Sequence, residues 1–227
     1  MKQTPMETVW IAGMGHFGLL ALRKLAMQQK ERQFVLIDPV KANLELGKGA
    51  NVFLEQTDGV DFLEQHLLPG NEPEWIIPAL PLHLAAEWCL RRLGHGQFCR
   101  AFYLPPEMDS LLPNAMRGTN GDIYVSHATF GCPDNCSEPR ELCTVTQTPR
   151  KQNMFELLEH IEFHRFQSLV IRSHQLAAGV GGYSPDQLFS LLYQAENAKR
   201  DILISTSCRC HGVITGLKNQ SLSRRDI

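Results

Sequence analysis

A glycine-rich turn is the first feature of this sequence whose residue types and spacing could do chemistry. Gly13, Gly15 and Gly18 form the pattern G-x-G-x-x-G, between an apolar strand and an apolar helix. In this pattern the first glycine permits a tight turn, the second lets the backbone approach a diphosphate, and the third lets helix and strand pack closely. The motif predicts a dinucleotide whose phosphates lie at the amino end of the helix, beside His16 and Phe17.

Asp38 is the second candidate binding residue, because it follows the apolar strand at 34–37. A carboxylate at this place accepts hydrogen bonds from the ribose 2′- and 3′-hydroxyls and repels a 2′-phosphate. The position therefore favours NAD(H) over NADP(H), and Lys41 is close enough in sequence to weaken that preference. The competing interpretation is that the glycines serve only the packing of an empty nucleotide-type fold.

Five of the seven cysteines form two groups in the second half of the chain, with a histidine directly after the second group: Cys132, Cys136, Cys143, Cys208, Cys210 and His211. Zinc and iron–sulfur clusters prefer thiolate ligands and need four of them, so one residue of the second group could complete a site begun by the first three. The spacing matches neither a zinc ribbon nor a ferredoxin, which leaves the metal identity open. A set of redox thiols and inert cysteines are the alternatives.

His83 is the best single candidate for acid–base catalysis, because it opens a predicted helix after the fourth predicted strand. A histidine that only caps the helix or faces solvent is the alternative interpretation. His127, His174 and Cys208 also follow predicted strands, and parallel strands would bring their carboxyl ends to one edge. The pattern predicts that the cysteine site lies near the cofactor, in one cleft.

The elements that must position these residues alternate between strand and helix over the first part of the chain. Residues 1–104 are predicted to form a doubly wound parallel Rossmann-type sheet, with strands near 7–12, 33–37, 50–54, 74–79 and 98–104 and helices near 16–29, 59–68 and 82–93. A proline-rich passage at 104–114 predicts a boundary. Residues 105–227 are predicted to form a second, cysteine-rich α/β lobe, with strands at 122–128, 168–172 and 201–205 and a flexible loop at 178–182.

Segments 13–18, 35–39 and 50–53, together with Asp58, resemble the nucleotide-binding domain of Trk-type potassium-conductance regulators. This domain belongs to the Rossmann NAD(P)-binding superfamily, and the resemblance covers roughly the first 100 residues. It implies that the three motif glycines hold the diphosphate and that Asp38 holds the ribose. The cysteine-rich half stands where those regulators have a different carboxyl-terminal domain, and it resembles no family that we recognise.

The composition of the chain limits the classes of molecule that it is expected to bind. The chain has 227 residues and a net charge of −2, and its scattered lysines and arginines form no broad cationic face, which argues against nucleic-acid binding. The sequence contains neither a long apolar segment nor a secretion signal, so we expect a cytoplasmic protein without membrane insertion. The expected partners are a dinucleotide and a small-molecule substrate, and the sequence leaves open whether the chain forms a homodimer.

Two functions from different classes fit these features. The first is an NAD(H)-dependent oxidoreductase, in which the cysteines hold a metal or an iron–sulfur cluster near the cofactor. The second is a non-enzymatic NAD(H)-responsive sensor, in which the cysteines hold a structural zinc ion. The lack of an obvious catalytic lysine, tyrosine or histidine–aspartate set favours the sensor, whereas the added cysteine loop favours the enzyme. Taken together, these features favour the NAD(H)-dependent oxidoreductase by a small margin.

Overall fold

The computed structural model describes residues 8–94, 98–100, 103–163 and 166–220. The strands are β1 (Thr8–Ala12), β2 (Gln33–Ile37), β3 (Val52–Glu55), β4 (Trp75–Pro78), β5 (Phe98–Arg100), β6 (Met116–Arg117), β7 (Ile123–Ser126), β8 (Phe166–Arg172), β9 (His174–Ala177), β10 (Val180–Gly182), β11 (Asp201–Ser207) and β12 (His211–Asn219). The helices are α1 (His16–Gln28), α2 (Lys41–Glu45), α3 (Gly59–His66), α4 (Leu84–Arg92), α5 (Met154–Glu159) and α6 (Pro185–Glu196), with a 3₁₀ helix at Pro106–Leu111. The predicted mixed α/β class is confirmed.

The chain divides into two compact units. The first comprises Met1–Leu84 and His174–Pro185, and the second comprises Ala85–Ser173 and Asp186–Ile227. In the described part of the chain, no helix is both long enough and apolar enough to cross a membrane.

The first unit contains a four-stranded parallel sheet in the order β3-β2-β1-β4. The strand order reverses between β1 and β4, since the chain first adds strands on one side of β1 and then on the other. All but the first residue of β1 are buried, which is typical of a central parallel strand covered on both faces. Its side chains Val9 and Ile11 pack with Leu22 and Leu25 of α1 in one apolar cluster.

A hairpin of β9 and β10 also belongs to the first unit, although it comes from a distant part of the chain. The sequence predicted a flexible loop here, and that prediction was wrong. Gly179 supplies the positive φ of +74° that the turn requires, and Tyr183 exchanges backbone hydrogen bonds with Ile76 of β4. The Lys24 side chain of α1 donates a 2.5 Å hydrogen bond to the Ala178 carbonyl, which fixes the hairpin against the helix.

The second unit contains a six-stranded mixed sheet in the order β6-β7-β12-β11-β8, with β5 also paired to β12. Strands β8 and β11 are parallel, and β12 is antiparallel to β11, β7 and β5. The sequence did not predict β12. It also assigned β5 to the first sheet, whereas β5 pairs with the carboxyl end of β12. Residues 101–102 of the predicted strand 98–104 lie outside the described residues.

The division at Leu84 precedes the boundary that the prolines predicted at residue 104. The proline-rich passage lies inside the second unit and does not act as a linker. Leu104, Met108 and Leu112 are buried there in one apolar cluster with Ile123 and Leu203. Because the passage supplies core side chains, its prolines shape a packed segment.

Candidate functional site

The glycine turn is held at the carboxyl ends of three parallel strands. Gly13 has a φ of +95°, and its N–H donates a 2.8 Å hydrogen bond to the carbonyl of Ile37 at the end of β2. A Cβ on Gly13 would lie 2.8 Å from the carbonyl carbon of Ala79, just after β4, and closer still to its oxygen. Backbone conformation and space therefore both require glycine at this position.

Gly18 is required by the packing of α1 against the turn. A Cβ on Gly18 would lie 3.0 Å from the carbonyl carbon of Gly13 and closer still to its oxygen. The helix thus approaches the turn more closely than any residue with a side chain allows.

Gly15 differs from the other two glycines. It is the N-cap of α1 with an ordinary φ of −73°, and a Cβ built on it would meet nothing within 4 Å. Gly15, His16 and Phe17 are exposed. The first N–H groups of an α-helix have no partner within the helix, so this exposed end offers donors to an anion. Packing explains Gly13 and Gly18 but does not explain Gly15.

Asp38 ties the glycine turn to the segment after β2. Its Oδ2 accepts a 2.8 Å hydrogen bond from the backbone N–H of Met14 inside the turn. Its Oδ1 accepts hydrogen bonds from the Val40 N–H at 2.8 Å and from the Asn43 side-chain amide at 3.2 Å. The residue is only 6% exposed, so these contacts hold the carboxylate beside the glycine turn, and its role in binding a ribose stays a prediction.

Asp38→Asn is expected to lower the free energy of unfolding by about 1–3 kcal/mol, because the new amide N–H₂ must face at least one of the backbone donors that the carboxylate now accepts. Urea denaturation followed by circular dichroism measures the loss. Glu31→Gln, at an exposed carboxylate of the same unit, is the control and is expected to change stability by less than about 0.5 kcal/mol. Equal losses for the two variants would contradict this role of Asp38.

His83 lies directly before α4, close to its predicted place at the start of the helix. Its side chain is only 2% exposed. A catalytic role for His83 stays a prediction, and it requires an opening that lets a substrate reach the ring. His174, the other histidine of the first unit at a predicted strand end, instead begins β9, where its ring lies 5.7 Å from that of Trp75.

The tight turn between β11 and β12 organises one half of the cysteine cluster in the second unit. Cys208 donates its N–H to the His211 carbonyl at 2.9 Å, and its Sγ accepts the N–H groups of Cys210 and His211, each at 3.4 Å. Glu138 accepts a hydrogen bond from the Arg209 N–H of the same turn. Burial, followed by the charge of Glu138, raises the pKa of the Cys208 thiol to about 12.

His211 connects the turn to the first cysteine group. Its Nε2 lies 3.5 Å from the Cys132 Sγ, and its Nδ1 lies 3.8 Å from the Cys208 Sγ. Burial lowers the pKa of the imidazole, which favours its neutral form. The sequence placed His211 next to Cys210 but did not predict that it would stand between the two cysteine groups.

The loop that carries the other cysteines folds onto itself. The Cys136 Sγ lies 3.3 Å from the Thr144 hydroxyl and accepts the Glu138 N–H at 3.4 Å. Hydrogen bonds from Thr146 and from the Val145 N–H lower the pKa of the Cys143 thiol. The loop therefore holds Cys143 in a setting that favours its thiolate.

Burial is the largest cause of the raised pKa values in both cysteine groups. Burial raises the pKa of Cys132, and the charges of Cys136 and Cys143 add to the rise. Burial also raises the pKa of Cys210 to about 11, with further contributions from Glu138, Cys136 and Cys132, while Arg150 opposes the rise. Among the described residues, no group of three or more His, Cys, Asp or Glu side chains is arranged so that it could hold a metal ion.

Two further residues, His127 and Arg150, lie near the cysteine cluster. His127 follows β7, and its backbone N–H donates a 2.9 Å hydrogen bond to the Cys210 carbonyl. The Nε2 of its ring is buried and has no hydrogen-bond partner. The antiparallel pairing of β7 with β12 brings His127 to the cysteine turn. Arg150 donates to the Pro139 carbonyl through one nitrogen, but its buried Nε and other terminal nitrogen have no partner. Sequence reasoning missed Arg150, because a lone arginine in a loop carries no signal.

Residues 85–220 match the family AF_1314_C, described as "Uncharacterized protein, C-terminal domain". A protein of Archaeoglobus fulgidus, described as "Uncharacterized protein", is 31% identical over 226 residues, and the alignment covers 92% of this chain and 98% of that protein. No solved structure matches the chain. The chain therefore belongs to the AF_1314_C family.

Proposed function

We propose that this chain is an NAD(H)-binding protein whose first unit is a Rossmann-type, doubly wound dinucleotide domain, related to the nucleotide-binding domain of Trk-type regulators. The observation that carries the proposal is Gly15, an exposed glycine with open space above it at the amino end of α1. The strand order β3-β2-β1-β4 supports it, because open α/β sheets bind ligands outside the carboxyl ends of the strands, where the order reverses. Gly13 follows β1 at this reversal.

The cofactor preference follows from Asp38. Its carboxylate is anchored beside the glycine turn by Met14 and Val40, so a ribose bound there meets a fixed negative charge. A ribose 2′-hydroxyl can donate to such a group, whereas a 2′-phosphate is repelled by it. NAD(H) is therefore the proposed cofactor.

The chemistry that we favour is oxidation and reduction. In this proposal the cysteine cluster of the second unit holds a metal or an iron–sulfur cluster, which would polarise a substrate carbonyl or accept electrons singly. His83 is the candidate acid–base residue. The placement of the cysteine site near the cofactor stays a prediction.

A specific observation favours the alternative function, a non-enzymatic NAD(H) sensor with a structural zinc ion. His83 is almost entirely buried, so the one proposed acid–base residue does not face an open site in this conformation. A visible spectrum and metal analysis of protein purified without oxygen separate the two functions. Iron with acid-labile sulfide supports electron transfer, whereas colourless protein with stoichiometric zinc supports the sensor.

Gly15→Val is expected to weaken NADH binding by at least about tenfold, equivalent to about 1.4 kcal/mol, because the side chain occupies the space proposed for the diphosphate. The fold should tolerate valine, since a Cβ there has no close neighbour. Calorimetric titration with NADH measures the change, and titration with NADPH should show weaker binding to the wild-type protein.

Gly49→Val is the matched control in the same unit. Gly49 is exposed, and a Cβ on it would make only an ordinary 3.7 Å contact with Val52. The control should bind NADH as the wild-type protein does. If Gly15→Val also keeps wild-type affinity, or if the wild-type protein binds no NADH, the dinucleotide proposal is wrong.

A further inference from the structure

We infer that the second unit binds a second copy of this chain through the outer edge of β8 and the neighbouring flank of α6. A two-fold axis relates the two copies, and their β8 strands pair antiparallel, so that the two six-stranded sheets become one continuous sheet. The inference is independent of dinucleotide and metal binding, because it concerns residues that the proposed function does not use.

The outer edge of β8 carries open backbone groups. β8 is the last strand in the order β6-β7-β12-β11-β8, so only its inner edge is paired. The Ser173 N–H donates to the Ser207 carbonyl, which shows that the odd-numbered residues of β8 face β11 and the even-numbered residues face outward. Among the described residues, the outward N–H and C=O groups of Ser168 and Val170 have no hydrogen-bond partner. An edge of this kind is a template for another strand.

The chain itself occupies both ends of this edge. The Phe166 N–H donates a 3.0 Å hydrogen bond to the Phe163 carbonyl, and the Arg172 carbonyl accepts the Gln187 side-chain amide at 3.1 Å. A strand that paired along the whole edge would have to displace both bonds. The edge therefore favours a short pairing, centred on Leu169.

The open groups of this short edge are complementary to themselves. In an antiparallel pair, directly opposed residues exchange two hydrogen bonds at every second position. With the axis at Leu169, Ser168 of each copy lies opposite Val170 of the other, and every open group finds a partner. A register shifted by two residues would need a group of Phe166 or Arg172 that is already bonded.

The groove beside the edge is suited to protein side chains and is too small for a typical ligand. Leu169 and Val170 line it from β8, and its volume of about 210 Å³ lies below the roughly 300 Å³ at which ligand pockets begin. From α6 it is lined by side chains that include Gln187, Ser190 and Gln194, which share one flank of the helix. The two-fold axis brings this α6 flank against the same flank of the second copy.

The charges along α6 fit such an antiparallel approach. The α6 flank is uncharged, so no like charges meet at the axis. Asp186 is exposed at the amino end of the helix, and Lys199 is exposed just beyond its carboxyl end. The axis turns the amino end of each helix toward the carboxyl end of the other, where these opposite charges attract. Glu196 lies on the opposite side of the helix, about two and a half turns from Gln187.

Gln194→Glu in the full chain tests this interface. Gln194 is exposed and lines the groove beside Leu169, so the variant keeps its shape but places like charges near each other across the axis. Sedimentation equilibrium should show a wild-type dimer whose dissociation constant rises by more than about tenfold in the variant. Tyr193→Glu is the matched control, since it adds the same charge to the next residue, whose side chain is 68% exposed and lies about 100° further round the helix. It should change the dissociation constant by less than about twofold.

A mixture of two variants shows whether two copies meet at this residue. Gln194→Lys alone should weaken the dimer as Gln194→Glu does, and an equimolar mixture of the two should regain wild-type affinity, because opposite charges then face each other. Circular dichroism checks that each variant is folded. A mixture that associates no better than its components would overturn the inference.

Hydrogen exchange on the wild-type protein tests the strand pairing without a substitution. The amides of Ser168 and Val170 should exchange slowly at high protein concentration and fast on dilution, because only the dimer bonds them. A dimer in which these amides stay unprotected would overturn the inference, since it uses another surface. A protein that is monomeric at every concentration would also overturn it, and would leave the edge open to an extended segment of another protein.

Discussion

Gly18→Ala is expected to lower the free energy of unfolding by about 3 kcal/mol or more, at the upper end of the cost of overpacking. The added Cβ would collide with the Gly13 carbonyl, and both partners are backbone that cannot rotate away. Gly13 has no room to retreat, because its N–H is bonded to Ile37 and its other side meets Ala79. The helix must therefore move off the turn. Chemical denaturation measures the loss.

Gly15→Ala is the control for this prediction. It lies in the same motif but has open space, so it should cost less than about 1 kcal/mol, the loss of a good N-cap residue. The pair separates the two roles that one motif combines, since Gly18 acts on stability and Gly15 on ligand binding. A similar small effect for both alanines would show that the close approach of α1 to the turn is not needed.

Asp122→Ala is expected to lower the free energy of unfolding by about 3–5 kcal/mol, because it removes the fully buried one of the two carboxylates that pair with Arg100 and leaves only the more exposed Glu87. Asp122 is completely buried, and its Oδ1 accepts hydrogen bonds from Arg100 at 2.8 Å and from the Thr215 hydroxyl at 2.5 Å. Its Oδ2 accepts the Asn120 amide at 2.6 Å. These contacts join β5, β7 and β12, so their loss should loosen that side of the sheet. Urea denaturation followed by circular dichroism measures the loss in the free energy of unfolding.

Asp109→Ala removes an ion pair of similar length in the same unit and is the control. Asp109 and Arg117 are 2.8 Å apart, but their side chains are 39% and 31% exposed. Water screens such a pair, so the loss should stay below about 1 kcal/mol. If the two aspartates cost the same, burial does not set the strength of the Asp122 network.

The glycine turn and the first four strands could be predicted because their signals are local. Gly13, Gly15 and Gly18 act within one turn, and strands such as β1 and β2 are continuous apolar runs that end at a glycine or an acid. Asp38 was found for the same reason, since its place is set by the end of its own strand. Parallel pairing of these four strands then follows from the helices between them.

The sheet of the second unit could not be predicted in this way. β12 begins with His211 and Gly212, which give no strand signal, and it becomes a strand because β11, β7 and β5 pair with it. The β9–β10 hairpin depends on contacts with Ile76 and Lys24, far away in the sequence. Pairing between distant segments outweighs local propensity in such strands.

By itself the sequence determined the residue types of both candidate sites: a glycine turn followed by an acid, and five thiols in two groups. Only the tertiary structure decided how those residues divide their roles. It showed that Gly15 is the motif glycine with open space, and that His211 stands between Cys132 and Cys208. The physical reason is that spacing along a chain fixes the chemistry available, whereas free space, burial and hydrogen-bond partners are set by segments that meet only after folding.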